Sequence, residues 1–342
     1  MNNTATICPD CREPVASPAT ACPKCNRAFE TRDGICHMLP AEVADEAAKE
    51  SEKAGWGRVI GQSLDELRAY YLLLPYVDDD SPVVTHYREA SRAFKITQQV
   101  LGDIAGKRGL DLGGSIGWAA YRFAQAGAQM TLADYNDSSP SGLGGAQAFI
   151  DDGVEIDRYR VDAHNLPFAD AQFDFVFCCA FLHHLQDPAR VVREVGRVLR
   201  PGGKFVATLE AFCPWWLTKE QGLARSDMAL HYVDLGINEQ VFYHGEYAQW
   251  FRDAKLKMEV VSPRWDDLGR GNRWRGARLS ARDYAPEILV NRRERSGVSG
   301  LVARAALATG AWRVLTPLLR MDATRTLLFS ATQKPRILVG TK

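Results

Sequence analysis

Net charge is missing from this sequence. Its 42 lysines and arginines balance 42 aspartates and glutamates, so no global field draws it toward nucleic acid or an anionic membrane. Long apolar runs are missing too: none continues for the roughly 20 residues that cross a bilayer. The amino terminus has no basic region followed by an apolar core, the pattern of an export signal. These gaps predict a soluble, cytoplasmic protein with no stable membrane insertion. Cysteine is sparse, eight in 342 residues, and four of the eight fall in an ordered pattern. In a reducing compartment that pattern favours metal over disulfides. A chain of this length holds one large domain with an appendage, or two domains.

The ordered cysteines are Cys8-Pro9-Asp10-Cys11 and Cys22-Pro23-Lys24-Cys25. Two residues between cysteines let both thiolates of a tight knuckle face one ion, and two knuckles give the tetrahedral sulfur set that zinc prefers. With few apolar residues nearby, the segment needs the metal in order to fold. A redox role would not explain two copies at knuckle spacing. Cys36 and His37 follow closely, but a packed thiol and a surface imidazole account for them better than a fifth ligand.

The centre of the chain is Leu110-Asp111-Leu112-Gly113-Gly114-Ser115-Ile116-Gly117. It reads as a buried strand entering a glycine-rich turn, then a helix over 118–126 and a second strand over 129–133 that ends in Asp134. This is the first half of a nucleotide-binding βαβ unit, where glycines permit a sharp turn and close backbone approach. A dinucleotide site wants G-x-G-x-x-G meeting a pyrophosphate. Here the run is D-x-G-x-S-x-G, and Asp111 would repel a pyrophosphate but suit a cationic ligand. A carboxylate at Asp134 can accept both hydroxyl protons of a ribose.

The run resembles motif I of the class I S-adenosylmethionine-dependent methyltransferases, with Ser115 where that family usually has a second glycine. The block 173–210, FDFVFCCAFLHHLQDPARVVREVGRVLRPGGKFVATLE, resembles the fourth-to-fifth-strand region of the type 11 methyltransferases, and the likeness extends over about 85–210. It implies a Rossmann-like, doubly wound α/β sheet and S-adenosylmethionine as cofactor. Asp111 would then lie near the methionine ammonium, in a turn made with Gly113, Gly114, Ser115 and Gly117. Asp134 would take the ribose, Tyr135 and Asn136 would lie against the adenosine, Asp162 would meet the adenine amino group, and Ala163 would lie along the ring. The text 29–40, with its DGI…MLP stretch, resembles small zinc ribbons of the Trm112 type, which activate methyltransferases or are fused to them. That supports the same enzyme class without choosing a substrate.

Elsewhere the reading is local. Residues 41–53 form an exposed helix or linker, and 56–74 carry apolar residues at helical spacing. Asp78-Asp79-Asp80 reads as a solvated turn. A helix over 83–104 covers the sheet edge, with His86, Tyr87 and Arg88 as candidates for a lid over the cofactor or as surface residues. Cys178 and Cys179 read as small core residues of a central strand.

Methyl transfer is an in-line displacement, and a general base is needed only for a weak nucleophile such as a hydroxyl. His183 or His184 could remove that proton, or one could pack by the cofactor while the other caps a helix. Glu210, ending the fifth strand, could orient the acceptor or form a salt bridge. Residues 212–216 could wall an acceptor pocket or pack as a corner. The loop 231–244 offers His231, Asn238, Glu239 and His244 to a polar acceptor.

Residues 256–262 and 336–340 supply the sixth strand and an antiparallel seventh, which makes 266–335 a helical cap or insertion. The stretch 264–297, rich in arginine with Trp265 and Trp274 interleaved, suits an anionic acceptor or a solvated loop. The apolar 301–319, broken by Arg304 and Arg313, suits a cap or a homodimer helix.

The expected organisation is a ribbon at 1–40, a helical linker at 41–82, a core at 83–265, the cap, and a last core strand at 336–342. The expected function is methyl transfer to a small-molecule or glycan- or natural-product-pathway acceptor. RNA methylation and a non-catalytic cofactor-binding scaffold are the alternatives. No Asn-Pro-Pro-Tyr type tetrapeptide follows the fourth strand, which leaves oxygen, carbon, sulfur and other nitrogen acceptors open.

Overall fold

The computed structural model describes residues 4–16, 20–60, 62–76, 82–261 and 336–342. Asp78 to Asp80, the arginine-rich 264–297, the apolar 301–319 and the cap 266–335 lie outside the described residues, as do the side chains of His86, Tyr87 and Arg88.

Four short strands open the chain: β1 (Thr6–Ile7), β2 (Pro14–Val15), β3 (Glu30–Arg32) and β4 (Ile35–His37). Helices α1 (Glu46–Ile60), α2 (Leu64–Leu73) and α3 (Pro82–Leu101) follow. Strands and helices then follow as β5 (Arg108–Leu112), α4 (Trp118–Gln125), β6 (Gln129–Asp134), α5 (Gln147–Ile150), β7 (Ile156–Arg160), β8 (Phe173–Cys179), α6 (Pro188–Val198) and β9 (Leu199–Glu210), with only a short 3-10 turn between β7 and β8. After them come β10 (Phe212–Cys213), α7 (Lys219–Leu223), α8 (Asp227–Asp234), β11 (Phe242–Tyr243), α9 (His244–Asp253), β12 (Lys257–Val261) and β13 (Arg336–Thr341). No helix among the described residues is long and apolar enough to cross a membrane.

The main sheet has nine strands in the order β12-β13-β9-β8-β5-β6-β7-β4-β3. From β4 to β9 the neighbours run parallel, and β13 pairs antiparallel with both β9 and β12. Strand order reverses at β5, so the crevice of this doubly wound sheet opens at the carboxyl ends of β5 and β8. Both faces are covered, which explains why β8 is an almost continuous apolar run. On one face α3 and α4 bury Phe94, Phe123, Phe175 and Phe177; on the other, α6 and α9 bury Val191, Val195, Tyr247 and Phe251.

The amino-terminal segment joins this sheet. Strand β4 pairs in parallel with β7, Cys36 opposite Tyr159, and β3 pairs antiparallel with β4 at the outer edge. Cys8, Val15, Cys22, Phe29 and Met38 share one apolar cluster with Leu166, Phe168 and Val191. Val15, Phe29 and Met38, when fully buried, each stabilise by about 1.5–3 kcal/mol, so ribbon and sheet are welded through a common core. The exposed face of β3 gave no apolar alternation to reveal a strand.

The linker differs from the pattern reading. One helix, α1, runs through 53–56 and the break comes at Ser63, which caps α2 with Glu66 in a reciprocal capping box. The Ser-x-x-Glu spacing carried that signal.

Candidate active site

The glycine-rich turn after β5 is shaped by close packing. Gly113 has φ +65° with the Phe181 ring against it, Gly114 abuts the Asp111 carboxyl group, and Gly117 has φ +82° beside Leu132. A Cβ at any of the three would overlap these neighbours. Ser115 holds φ 50° and is stabilised there by two bonds: its N–H donates to Asp134 Oδ2 at 2.8 Å and its hydroxyl to Ser141 O at 2.9 Å. The serine thus ties the turn to the loop after β6.

Asp111 is buried, accepts the Ala120 N–H at 3.0 Å and is pushed up to about 7 by burial. Asp134 stands at the end of β6, where Ser115 and Asn136 each donate one N–H, at 2.8 Å, to a different carboxylate oxygen. Burial raises its pKa, and each oxygen keeps a lone pair for a ligand hydroxyl. Tyr135 donates to Glu50 at 2.6 Å and lies under the Arg160 guanidinium. Asn136 is buried and braces the following loop through Ser138 and Ser141.

Asp162, just beyond β7, is engaged by residues the pattern reading passed over. Its Oδ1 takes Lys49 Nζ at 2.9 Å, His164 N at 3.0 Å and His164 Nδ1 at 2.9 Å, while Oδ2 takes the Ala44 N–H at 2.9 Å. Burial would raise this carboxyl, but His164 and Lys49 outweigh it and hold it well below the usual range. Of its lone pairs, one at Oδ2 is left for a further donor. Ala163 is buried at the start of the 3-10 turn Ala163–Asn165.

At the ends of β8 and β9 lies a second group. Glu210 is wholly buried; it accepts the N–H groups of Phe181, Leu182 and His183 at 3.2, 3.1 and 3.3 Å, and His183 Nδ1 at 2.9 Å. His184 Nδ1 lies 2.6 Å from Asn238 O. The loop 237–241 is clamped to this turn by Gln240, whose N–H meets His183 O at 3.0 Å and whose side chain meets Leu185 O at 2.8 Å. Glu239 reaches within 4.0 Å of His183 and 3.9 Å of His184. From α1, Glu52 comes within 3.7 Å of His184, and Trp56 packs edge-on to the same ring.

Burial pushes Glu52 up to about 7, helped by the negative charge of Asp134 and Glu239. Burial also raises Glu239. For His183 burial acts against the charged ring, yet Glu210, Glu239 and Glu52 outweigh it and the pKa rises. The structure therefore gathers His183, His184, Glu210, Asn238 and Glu239. His231 is exposed on α8, and His244 lies at the start of α9 with its ring 6.3 Å from Phe212; neither belongs to the metal-capable group of His183, His184 and Glu239. Phe212 is buried, whereas Trp215 and Trp216 are among the exposed large side chains.

The four knuckle cysteines form a separate centre. Cys8 and Cys25 sulfurs are 3.6 Å apart, those of Cys11 and Cys22 3.5 Å, and all four lie within 4.8 Å of one another. Zinc–sulfur bonds of about 2.3 Å at tetrahedral angles set sulfurs about 3.8 Å apart, so the donor set fits that ion.

The profile of the methyltransferase-domain family matches residues 110–207. A ubiquinone biosynthesis O-methyltransferase of Xanthomonas oryzae pv. oryzae is 32% identical over 189 residues, 53% of this chain and 73% of the relative. A 27-O-demethylrifamycin SV methyltransferase of Amycolatopsis mediterranei is 34% identical over 147 residues, 41% of this chain and 52% of the relative. Among solved structures, a chain from the complex of the Haloferax volcanii Trm112 methyltransferase activator with a methyltransferase is 17% identical. The alignment covers 75% of this chain and 90% of that one, with a TM-score of 0.44.

Proposed function

Because the chain belongs to the S-adenosylmethionine-dependent methyltransferases of the type 11 family, we propose that it methylates an oxygen of a small-molecule acceptor bound beside His183, His184 and Glu239. The observation that carries this reading is the buried His183–Glu210 pair, 2.9 Å apart, at the same sheet edge as Asp134. The 32% likeness to an O-methyltransferase favours oxygen over the other acceptor atoms.

Bound S-adenosylmethionine would supply an electrophilic methyl group on its sulfonium. Of the chain's own groups, Asp134 would hold the ribose, with Tyr135 beside the adenosine and the Oδ2 of Asp162 toward the adenine amino group. Glu210 is a positioning residue: four of its contacts go to the turn 181–183, and it fixes the orientation of the His183 ring. The acceptor hydroxyl would be oriented by His184 and Glu239, and as its oxygen takes the methyl group its proton would pass to His183 Nε2, the ring being held at Nδ1 by Glu210. Closure of α1 over this edge, through Glu52 and Trp56, would exclude water. In the ribbon, Cys8, Cys11, Cys22 and Cys25 would hold a structural zinc ion.

Calorimetric titration with S-adenosylmethionine and S-adenosylhomocysteine tests the cofactor half. Binding is expected, with Asp134→Ala at least tenfold weaker, since about two charge-assisted hydrogen bonds of 1.5 kcal/mol or more are removed. Folded, zinc-loaded wild type that binds neither ligand would overturn the reading. Transfer of labelled methyl to hydroxylated acceptors tests the other half.

A further inference from the structure

Arg158 of β7 is a buried cation, 6% exposed, whose hydrogen bonds go to neutral oxygens. Its guanidinium donates to Asp33 O at 2.7 Å, to Gln147 Oε1 at 3.1 Å and to Leu143 O at 3.2 Å. These acceptors belong to three separate segments: the turn between β3 and β4, the start of α5, and the 3-10 turn Leu143–Ala146. A planar fork reaches several acceptors at once, which an ammonium on a flexible stem does not. The hairpin turn closes directly on it, since a Cβ on Gly34, at φ +72°, would stand 2.6 Å from Arg158 Nη2.

Two of the three contacts bear on the loop that follows the ribose acid. Leu143 donates its N–H to Asn136 O at 2.9 Å. Two residues earlier, Ser141 O accepts the Ser115 hydroxyl at 2.9 Å and Asn136 Nδ2 at 3.3 Å. Ser115 and Asn136 are the residues whose N–H groups hold the two oxygens of Asp134. The loop has no slack: a Cβ on Gly142 would stand 2.2 Å from Asn136 O, and one on Gly145 2.3 Å from Pro140 O. A displacement at Leu143 is therefore passed to Ser141, and from there to Ser115 and Asn136. The hairpin β3–β4 also meets the front of this loop at Asp137, which lies 3.6 Å from Arg32 and 4.0 Å from His37 Nε2. Arg158 itself pairs in the sheet with Leu132, two residues before Asp134, so it supports the site from behind.

We propose that Arg158 is a positioning residue for the ribose end of the cofactor site. By fixing the loop 136–147 against the hairpin β3–β4, it keeps Ser115 and Asn136 where their N–H groups orient Asp134. Residues that lock the groups around a binding side chain decide how well that side chain is preorganised. The proposal rests on the reading of Asp134 as the ribose acid.

S-adenosylhomocysteine is the probe, titrated by calorimetry into full-length, zinc-loaded protein well below each variant's melting temperature. Arg158→Met is expected to bind it about tenfold more weakly than wild type. Arg158→Lys keeps the charge without the fork and is expected to bind about threefold more weakly; it decides the matter should Arg158→Met not fold. A merely structural role would weaken binding by the same factor whatever stands at position 134. In an Asp134→Ala background, by contrast, either substitution is expected to change the affinity by less than about twofold. Equal affinity of wild type and the Arg158 variants, or the full additional loss in the Asp134→Ala background, would overturn the proposal while leaving the methyltransferase reading in place. Folded wild type that binds no S-adenosylhomocysteine would sink that reading, and the positioning role with it.

Discussion

Lys49 and Asp162 lie 113 positions apart in sequence and 2.9 Å apart in space. Their side chains are 14 and 2% exposed, so removing one partner strands a buried charge. Lys49→Met is expected to cost about 3 kcal/mol at pH 7 by urea unfolding. The folded pKa of Asp162 is depressed below an unfolded value of about 3.9. Its stabilisation is therefore present above about pH 4 and is lost as pH falls further, and the gap between Lys49→Met and wild type should narrow in acid. A gap that is constant with pH would show that packing, rather than charge, supplies the difference.

Glu52 has the opposite sign. Its folded pKa of about 7 exceeds an unfolded value of about 4.3, so ionising it weighs against the fold increasingly as pH rises through that window. In zinc-loaded protein, Glu52→Gln should be more stable than wild type at pH 8, by up to ~3 kcal/mol, and equal to it at pH 4. Equal denaturation midpoints at pH 8 would contradict this. Asp134 and the turn Asp111 to Gly117 were legible because their residue types and spacing are local. Lys49, Glu52 and His164 were not, because each gains its meaning from a partner brought in by the tertiary fold.

Among elements, α1 departs furthest from its sequence appearance. Rich in alanine, glutamate and lysine, it reads as a solvated helix, yet it runs along the carboxyl edge of the sheet. Lys49 reaches Asp162, Lys53 reaches Asp137 at 2.5 Å, and Ser51 meets Gly236 O at 3.0 Å. Gly55 is a contact point with the loop after α8: a Cβ there would stand 2.7 Å from both Leu235 O and Ile237 Cγ1. Alanine normally gains about 1 kcal/mol over glycine inside a helix. Here the overlap with a backbone oxygen reverses the sign, and Gly55→Ala is expected to lower the melting temperature and raise the KM for the acceptor more than that for the cofactor. A higher melting temperature would show that α1 is free to move away. By contrast β8 and α6 lie inside the block 173–210, whose family likeness the sequence shows, and Asp187 caps α6 with Pro188 in its first turn.

On the scale of the whole molecule, the cysteine knuckles and the sheet share one apolar core, which predicts that they unfold together. The pairs Cys8 to Cys11 and Cys22 to Cys25 announced a four-sulfur cluster, but nothing in the polar β3 announced that the hairpin β3–β4 extends the sheet. Strand β7, which β4 covers, leads directly into Asp162. Stripping zinc with a strong chelator should therefore lower the melting temperature of the entire protein by roughly 10 °C or more and weaken S-adenosylmethionine binding in the same titration. A ribbon that melted alone, with cofactor affinity intact, would show two independent units.

The pairing of β4 with β7 also has a mass-action side. An open sheet edge supplied by a separate subunit is filled only to the extent that subunit's concentration exceeds its dissociation constant. Here the covering strand is tethered in the same chain, at an effective concentration that dilution cannot change. Occupancy of that edge, and whatever order it imparts to Asp162, is thus set at synthesis as one copy per catalytic unit, with no stoichiometry left for the cell to adjust.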